Sequence, residues 1–469
     1  MSDIRSRFAP SPTGSLHIGS LRSALYAYAY AKSQKGKFIL RIEDTDRNRF
    51  VPGTTEKIYE ILKIFGLSWD EGPTVGGPYS PYIQSERVKT GIYEKYAEKL
   101  IEEGHAYYCF CPAKSKDEIN EEHEEGVIQM RDPCRDLSIN EGKERIKKGE
   151  KAAVRLRVPD GETISFFDFV IKKEISWETK NVDEVMLLKS DGFPTYHLGV
   201  VVDDAEMKIS HIIRGRDWLP STPVHLLLFK YFGFKLPEIG HLTDILDPKG
   251  GKLSKRKGSV SCEDMLSEGY LPEAILNFIM LLGWAPKDNR ELFTLEEFVE
   301  NFQKGELQVA NPVFNRKKLD WFNGIYIRKK SNQELAGLLA PYVPKGGDKK
   351  ILEKITPLIN DRISKLSDFI PLAGFFFTKT KVDKNLFRKL SYQEHLKKAS
   401  GVLEKLDQWD NESITEVLNN LISDNSWKTG DFFMSFRIAL SGSRFTPPIT
   451  NSAEILGKQE TINRLQEVL

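Results

Sequence analysis

Apolar residues recur along the first hundred positions at two different periods. Leu21, Ala24, Leu25 and Tyr28 lie three or four residues apart or in adjoining turns, which predicts a helix from Leu21 to Ala31 with one buried face. Phe38-Ile-Leu-Arg-Ile42 is a short apolar run and predicts a strand. The helical period returns over Thr54 to Phe65, just after Pro52-Gly53, with Ile58, Ile61, Leu62 and Phe65 inward. It returns again over Glu86 to Glu103 through Tyr93, Tyr96, Ala97 and Leu100. Alternating strands and helices favour an α/β fold on a doubly wound parallel sheet, whose ligands bind beyond the carboxyl ends of the strands.

The alternation stops near Ala106. From there to about Lys189 the chain carries three cysteines, a charged helical stretch and short strands such as Ala153-Val-Arg-Leu-Arg-Val158, the pattern of an inserted domain. Sheet-like segments resume at Val185-Met-Leu-Leu188, followed by a Ser190-Asp-Gly192 turn, and at Ile209 to Arg214. Beyond Ser331 the signal is almost wholly helical, as in Ile351 to Leu358, Ile363 to Phe369 and Ile414 to Leu421.

Length sets the scale: 469 residues exceed one core and predict three or four domains. With 40% hydrophobic and 29% charged residues the chain is an ordinary folded protein, not a disordered one. The longest apolar run, Leu271 to Trp284, is interrupted by Pro272, Glu273 and Asn277. It falls short of the roughly 18 residues that a membrane span needs. The start, Met-Ser-Asp-Ile-Arg-Ser-Arg, has no apolar signal region, and four cysteines in so long a chain fit a reducing compartment. A cytoplasmic protein with no membrane partner is expected, and is taken as a monomer. The net charge of +1 does not announce a nucleic-acid partner; an RNA binder of this balance must gather its cations on one face.

Two stretches carry the chemistry. Arg7-Phe-Ala-Pro-Ser-Pro-Thr-Gly-Ser-Leu-His17-Ile-Gly19 reads as a strand running through a Pro/Gly turn into the first helix. Such a turn points backbone N–H groups at whatever lies above it, and the helix N-terminus favours an anion there. Lys252-Leu-Ser-Lys-Arg256, directly after Pro248-Lys-Gly-Gly251, is a glycine-bounded loop with three cations in five residues, suited to gripping a phosphate chain. Together they suggest a nucleotide held between a cradle and a basic lid.

His17-Ile-Gly-Ser20 resembles the His-Ile-Gly-His signature of class I aminoacyl-tRNA synthetases, and Lys252 to Arg256 resembles their Lys-Met-Ser-Lys-Ser loop. Arg7 to Gly14, Arg41-Ile-Glu-Asp-Thr-Asp46, Pro194-Thr-Tyr-His197, Val201-Val-Asp-Asp204 and Lys255-Arg-Lys257 follow in matching order. The chain thus resembles bacterial glutamyl-tRNA synthetases over essentially its whole length, most strongly through about Trp321. The resemblance implies a ligase that uses ATP and Mg2+ to form glutamyl-adenylate from L-glutamate. It then transfers the glutamyl group to the 3′ end of tRNA(Glu), and in some members to tRNA(Gln) as well. It implies a Rossmann-like catalytic domain over 1–106 and 190–240, with an inserted acceptor-end domain over 107–189. A stem-contact domain carrying the basic loop would span 241–325, and an all-α anticodon-binding region 326–469.

Joining a carboxylate to the α-phosphorus of ATP brings two anions together, so the site must neutralise charge and hold geometry. His17 and Lys255 are the candidate catalytic groups, and Gly19, Asp217, Lys252 and Ser254 join them around ATP. Glutamate has two carboxylates and an ammonium, so its pocket needs two cationic or donor sites and one anion. Arg7 and Arg214 are the cations and Glu43 the anion; the arginine fork suits a carboxylate. By resemblance, Arg7 with Tyr196 holds the side-chain carboxylate, and Arg214 takes a carboxylate as well. Glu43 and Ser11 address the amino group, with Ala9 beside them.

Two positions depart from the family. Arg216 stands where an acid is usual, before Asp217, and Ser20 replaces the last histidine of the tetrad. Cys109, Cys111 and Cys134 resemble the zinc-binding cysteines of some members, with Asp136 or His123 as fourth ligand and plain thiols as the alternative. Arg316-Lys-Lys318, Arg328-Lys-Lys330 and Lys349-Lys350, with Trp321, Phe322 and Tyr326 between them, suit phosphate contacts and base stacking. Three other readings compete. A glutaminyl-tRNA synthetase would end in β-barrels, and a glutamyl-queuosine tRNA synthetase would lack the anticodon-binding portion. A non-catalytic RNA-binding paralogue is opposed by intact His17, Ser254 and Lys255.

Overall fold

The computed structural model describes residues 4–112, 132–253 and 260–469. Contacts divide the chain into two units, Met1–Asp264 with Leu276–Asn315, and Met265–Ile275 with Arg316–Leu469. The strands of the first unit are, in chain order, β1 (Arg5–Phe8), β2 (Lys37–Leu40), β3 (Ala106–Cys109), β4 (Ala153–Leu156), β5 (Thr163–Asp168), β6 (Lys173–Glu178), β7 (Met186–Leu188), β8 (His211–Gly215) and β9 (Glu238–Leu242). Six of them form one sheet in the order β2-β1-β8-β9-β5-β6, and the other three an antiparallel sheet, β3-β4-β7. Within the large sheet β2, β1, β8, β9 and β5 run parallel, while β6 pairs antiparallel to β5 at the edge. Thus β5 and β6, although they fall inside 107–189, extend the main sheet.

The topology places the site. From β1 the chain passes through the helix Ile18–Ser33 to β2 on one side, and from β8 through the helix Thr222–Phe232 to β9 on the other. The connections therefore diverge between β1 and β8, and a crevice opens at their carboxyl ends, where parallel α/β sheets bind ligands. Strand β1 is buried at all four positions although three are polar. Each polar side chain has a partner, as burial requires. Arg5 pairs with Glu71 at 2.8 Å, Ser6 donates to the Ala27 carbonyl at 2.7 Å, and Arg7 pairs with Asp204.

Two predicted helices differ from expectation. Glu86 to Glu103 is two helices, Gln84–Val88 and Ile92–Glu102, because Gly91, at φ 71°, takes the left-handed conformation between them. Ile363 to Phe369 is not one α-helix: residues 363–365 are irregular, Leu366–Asp368 is a 3-10 turn, and an α-helix begins only at Phe369. Asp368 accepts from the Ser364 and Lys365 amides at 2.9 and 2.8 Å, Asn323 donates to the Ser364 carbonyl, and the Leu366 amide donates to Gly269. Tertiary partners thus capture the backbone groups that a helix would need.

The second unit is helical among the described residues, around two apolar clusters. One gathers Leu271, Ile327, Leu335, Ile355 and Phe369, the other Leu403, Leu418, Phe432, Phe436 and Leu465. Of the aromatics read as stacking platforms, Phe322 is buried and Trp321 is half exposed. Arg316 and Lys330 pair with Glu268 and Glu273.

Candidate active site

A cleft of about 530 Å³ opens at the carboxyl ends of β1 and β8, lined by Arg7, Ala9, Ser11, His17, Gly19, Glu43, Tyr196, Arg214, Asp217 and Lys252. The structure thus brings together ten predicted site residues from five separate stretches of sequence. Ser254 and Lys255 lie outside the described residues.

His17 is the N-cap of the helix Ile18–Ser33, and its Nδ1 accepts from the Gly19 amide at 3.1 Å. That bond puts the ring proton on Nε2, which makes Nε2–H the group able to donate to a phosphate oxygen. Glycine at 19 leaves room for it, since a Cβ there would sit a tight 3.3 Å from His17 Nδ1. Both flanks of 254–259 are tied to the same region. The Leu253 amide donates to Ile245, the Cys262 amide to Leu16, and the Ile18 amide to Val260.

Below this cradle lies a buried charge network. Asp204 accepts from Arg7 Nε at 3.1 Å and Arg41 Nη1 at 2.7 Å, and Glu43 accepts from Arg41 Nη2 at 2.8 Å. The neighbouring Asp203 accepts from Arg87, Gln84 and Tyr93 at 2.7–2.9 Å. Burial pushes the Asp204 carboxyl up, but Arg41 and Arg7 outweigh it and hold it below the ordinary range. Glu43 goes the other way: burial raises it against the pull of Arg41, whose guanidinium it shares with Asp204.

Arg214 differs from Arg7. It is buried, yet its four hydrogen-bond partners are all uncharged groups: His241 Nε2 at 3.0 Å, Tyr196 Oη at 3.1 Å, His225 Nδ1 at 3.2 Å and Thr222 Oγ1 at 2.9 Å. Among the described residues no carboxylate lies within 4.0 Å of its guanidinium. Proton positions follow from this. Arg214 can only donate, so His241 accepts at Nε2 and donates from Nδ1 to Asp168 at 2.6 Å. His225 likewise accepts at Nδ1 and donates from Nε2 to His197 Nδ1 at 3.3 Å. Burial, then the Arg214 charge, pushes His197 down to about 4 and His225 well below its ordinary value, which keeps both rings neutral. Burial pushes Arg214 itself down. The result is a buried cation with no adjacent carboxylate among the described residues, beside an acid that shares Arg41 with Asp204, an arrangement able to take up a zwitterionic acid. Tyr196 bonds to Arg214 and not to Arg7, and its ring packs tilted against Trp218 with centroids 4.2 Å apart.

At the cleft mouth Lys252 is ion-paired with Asp217 and lies 3.0 Å from Asp244.

The cysteines form a second cluster. The ligand atoms of Cys109, Cys111, Cys134 and Asp132 lie within 4.8 Å of one another. Asp132, not Asp136, joins the thiols: its two oxygens are 3.0 Å from Cys109 Sγ and 3.1 Å from Cys111 Sγ, while Asp136 is exposed nearby. His123 lies outside the described residues. The Cys111 and Cys134 sulfurs are 3.6 Å apart, close to the roughly 3.8 Å edge of a tetrahedron with 2.3 Å zinc–sulfur bonds. Asp132 raises the Cys111 thiol, and burial raises Cys109, so both are held protonated unless a cation enters.

Asp204, Arg41 and the histidines His225 and His241 were not among the predicted site residues. A signal existed for His225, a lone imidazole within the apolar run Pro223 to Phe229.

The chain matches the family model for tRNA synthetases class I (E and Q), catalytic domain, over residues 3–321, and an anticodon binding domain over 334–469. The glutamate–tRNA ligase of Finegoldia magna is 40% identical over 489 residues, covering 100% of both chains. That of Clostridium botulinum is 42% identical over 474 residues, covering 99% of this chain and 97% of its own. Among solved structures, a glutamate tRNA ligase from Elizabethkingia meningosepticum in complex with its amino acid matches with a TM-score of 0.85 at 34% identity, over 99% of each chain. The chain belongs to the class I tRNA synthetases of the E and Q group.

Proposed function

We infer that the chain is a glutamate–tRNA ligase, which activates L-glutamate with ATP and transfers it to the 3′ end of tRNA(Glu). The observation that carries this reading is Arg214, a buried guanidinium with only neutral partners, beside Arg7 and Glu43. One glutamate carboxylate faces Arg214 and Tyr196. The other turns toward Arg7, whose charge Asp204 shares, and the ammonium faces Glu43. ATP, as its magnesium complex, lies over the Ile18–Ser33 helix mouth with His17 Nε2–H donating to phosphate. Lys255 meets charge as it builds on the phosphates. Residues 107–189 receive the acceptor end, 241–325 the stem, and 326–469 the anticodon. Cys109, Cys111, Cys134 and Asp132 hold a zinc ion that fixes the fold around them. A cytoplasmic setting agrees with four cysteines that form no disulfide and with the finding that no described helix is long and apolar enough to cross a membrane.

The test is ATP-dependent charging of purified tRNA(Glu) and tRNA(Gln), side by side, with labelled glutamate and with glutamine. Charging of tRNA(Glu) by glutamate is the expected result. Charging by glutamine, or no glutamate-dependent ATP–pyrophosphate exchange with tRNA present, would overturn the reading.

A further inference from the structure

Among the described residues, the glutamate and ATP assignments leave two cleft cations unused: Arg22 is buried and donates to the Leu282 and Thr243 carbonyls, whereas Arg216 is exposed. It opens the turn Arg216–Ser221 directly after β8, two residues past Arg214, and lines the cleft with His17, Asp217 and Lys252. Arg214 is buried at the pocket, whereas Arg216 is exposed at the mouth. The nearby Lys252 ammonium is already matched by two carboxylates, Asp217 and Asp244. Arg216 has no carboxylate within 4.0 Å among the described residues. Without it, these three groups would present net negative charge to any phosphate entering there. A guanidinium offers five donors in a planar fork that matches phosphate oxygens, and it stays charged at every working pH.

We propose that Arg216 binds the β- and γ-phosphates of ATP and so stabilises the pyrophosphate leaving group. The proposal rests on the ATP and glutamate reading of the cleft. In the step concerned, a glutamate carboxylate oxygen bonds to the α-phosphorus. The bond from the α-phosphorus to the bridging oxygen breaks, and its electron pair leaves with pyrophosphate. No proton moves. Charge therefore grows on the group that Arg216 holds, and the contact strengthens as the reaction proceeds.

The experiment uses the full chain with tRNA present, measuring ATP–pyrophosphate exchange and charging in Arg216→Ala, Arg216→Glu and Arg216→Lys. One charge-assisted contact predicts about a tenfold fall in kcat/KM for ATP in Arg216→Ala. A larger fall is expected in Arg216→Glu, with partial recovery in Arg216→Lys. The deficit should narrow at high salt, because the contact is solvent-exposed. The KM for glutamate and the melting temperature should stay at their wild-type values, which a structural role would not allow. An unchanged kcat/KM for ATP overturns the proposal, as does an increase confined to the KM for tRNA, which would mark an RNA contact instead. A wild-type chain without glutamate-dependent exchange would overturn the underlying reading of the cleft, not this residue alone.

Discussion

Arg214→Ala should abolish efficient use of glutamate while leaving the fold nearly intact. The substitution removes a buried guanidinium with four neutral partners, His241, Tyr196, His225 and Thr222. In the complex, a glutamate carboxylate would then be buried without its counter-charge, which costs about 3–5 kcal/mol. At about 1.4 kcal/mol per tenfold, kcat/KM for glutamate falls by roughly two to three and a half orders of magnitude. Stability feels two opposing effects. Four lost hydrogen bonds cost about 1 kcal/mol each. Against them stands the relief of a desolvated cation with no adjacent carboxylate, worth several kcal/mol. These nearly cancel, so the melting temperature should move little. Glutamate titrations at saturating ATP and tRNA, with melting curves with and without glutamate, separate the two. Ligand should raise the melting temperature of the wild type and not of the variant. An unchanged kcat/KM, or a large drop in stability with normal glutamate kinetics in the folded fraction, would refute the reasoning.

Other outcomes follow from the same geometry. Lys255→Ala should slow adenylate formation by on the order of 10²–10³ while ATP binding weakens far less; near-normal turnover would remove its role. Protein prepared without chelator should carry about one zinc per chain by elemental analysis, and Asp132→Asn should lower that content where Asp136→Asn does not. His197 stays neutral down to about 4 when folded but takes up its proton near 6.5 when unfolded. The unfolded state therefore binds more protons as pH falls through that window, and stability drops by up to about 3 kcal/mol between pH 6.5 and 4. His197→Gln should flatten that part of the curve of urea midpoint against pH, and an unaltered slope would contradict the assignment.

Much of the site was legible because its residues sit in short runs with strong local chemistry. Helices with a clean period, such as Thr54–Ile64, were legible too. What stayed hidden depended on long-range partners. Nothing in the spacing of Thr163 to Glu178 says which sheet those strands join. Asp132 and Asp136 lie equally far from Cys134, one on each side, and only the path of the chain selects Asp132. Ile363 to Phe369 has helical spacing, but a distant asparagine and glycine claim its backbone. The motif gives no sign of the hydrogen bond from Arg214 to Tyr196 Oη. Such partner choices are made in three dimensions, and a one-dimensional pattern constrains them only weakly.

The adjacent acids Asp203 and Asp204 have a mechanical consequence. Successive residues of a helix point about 100° apart around its axis. One helix, Tyr196–Glu206, therefore grips Arg87, Tyr93 and Gln84 with one carboxylate and Arg7 and Arg41 with the next. Any roll that loosened Arg7 would also have to tear Asp203 from its three partners. The helix is pinned against torsion by two neighbouring residues, and Tyr196 at its other end is pinned with it. The cleft wall that carries Tyr196 is thus braced through both carboxylates at the far end of its helix.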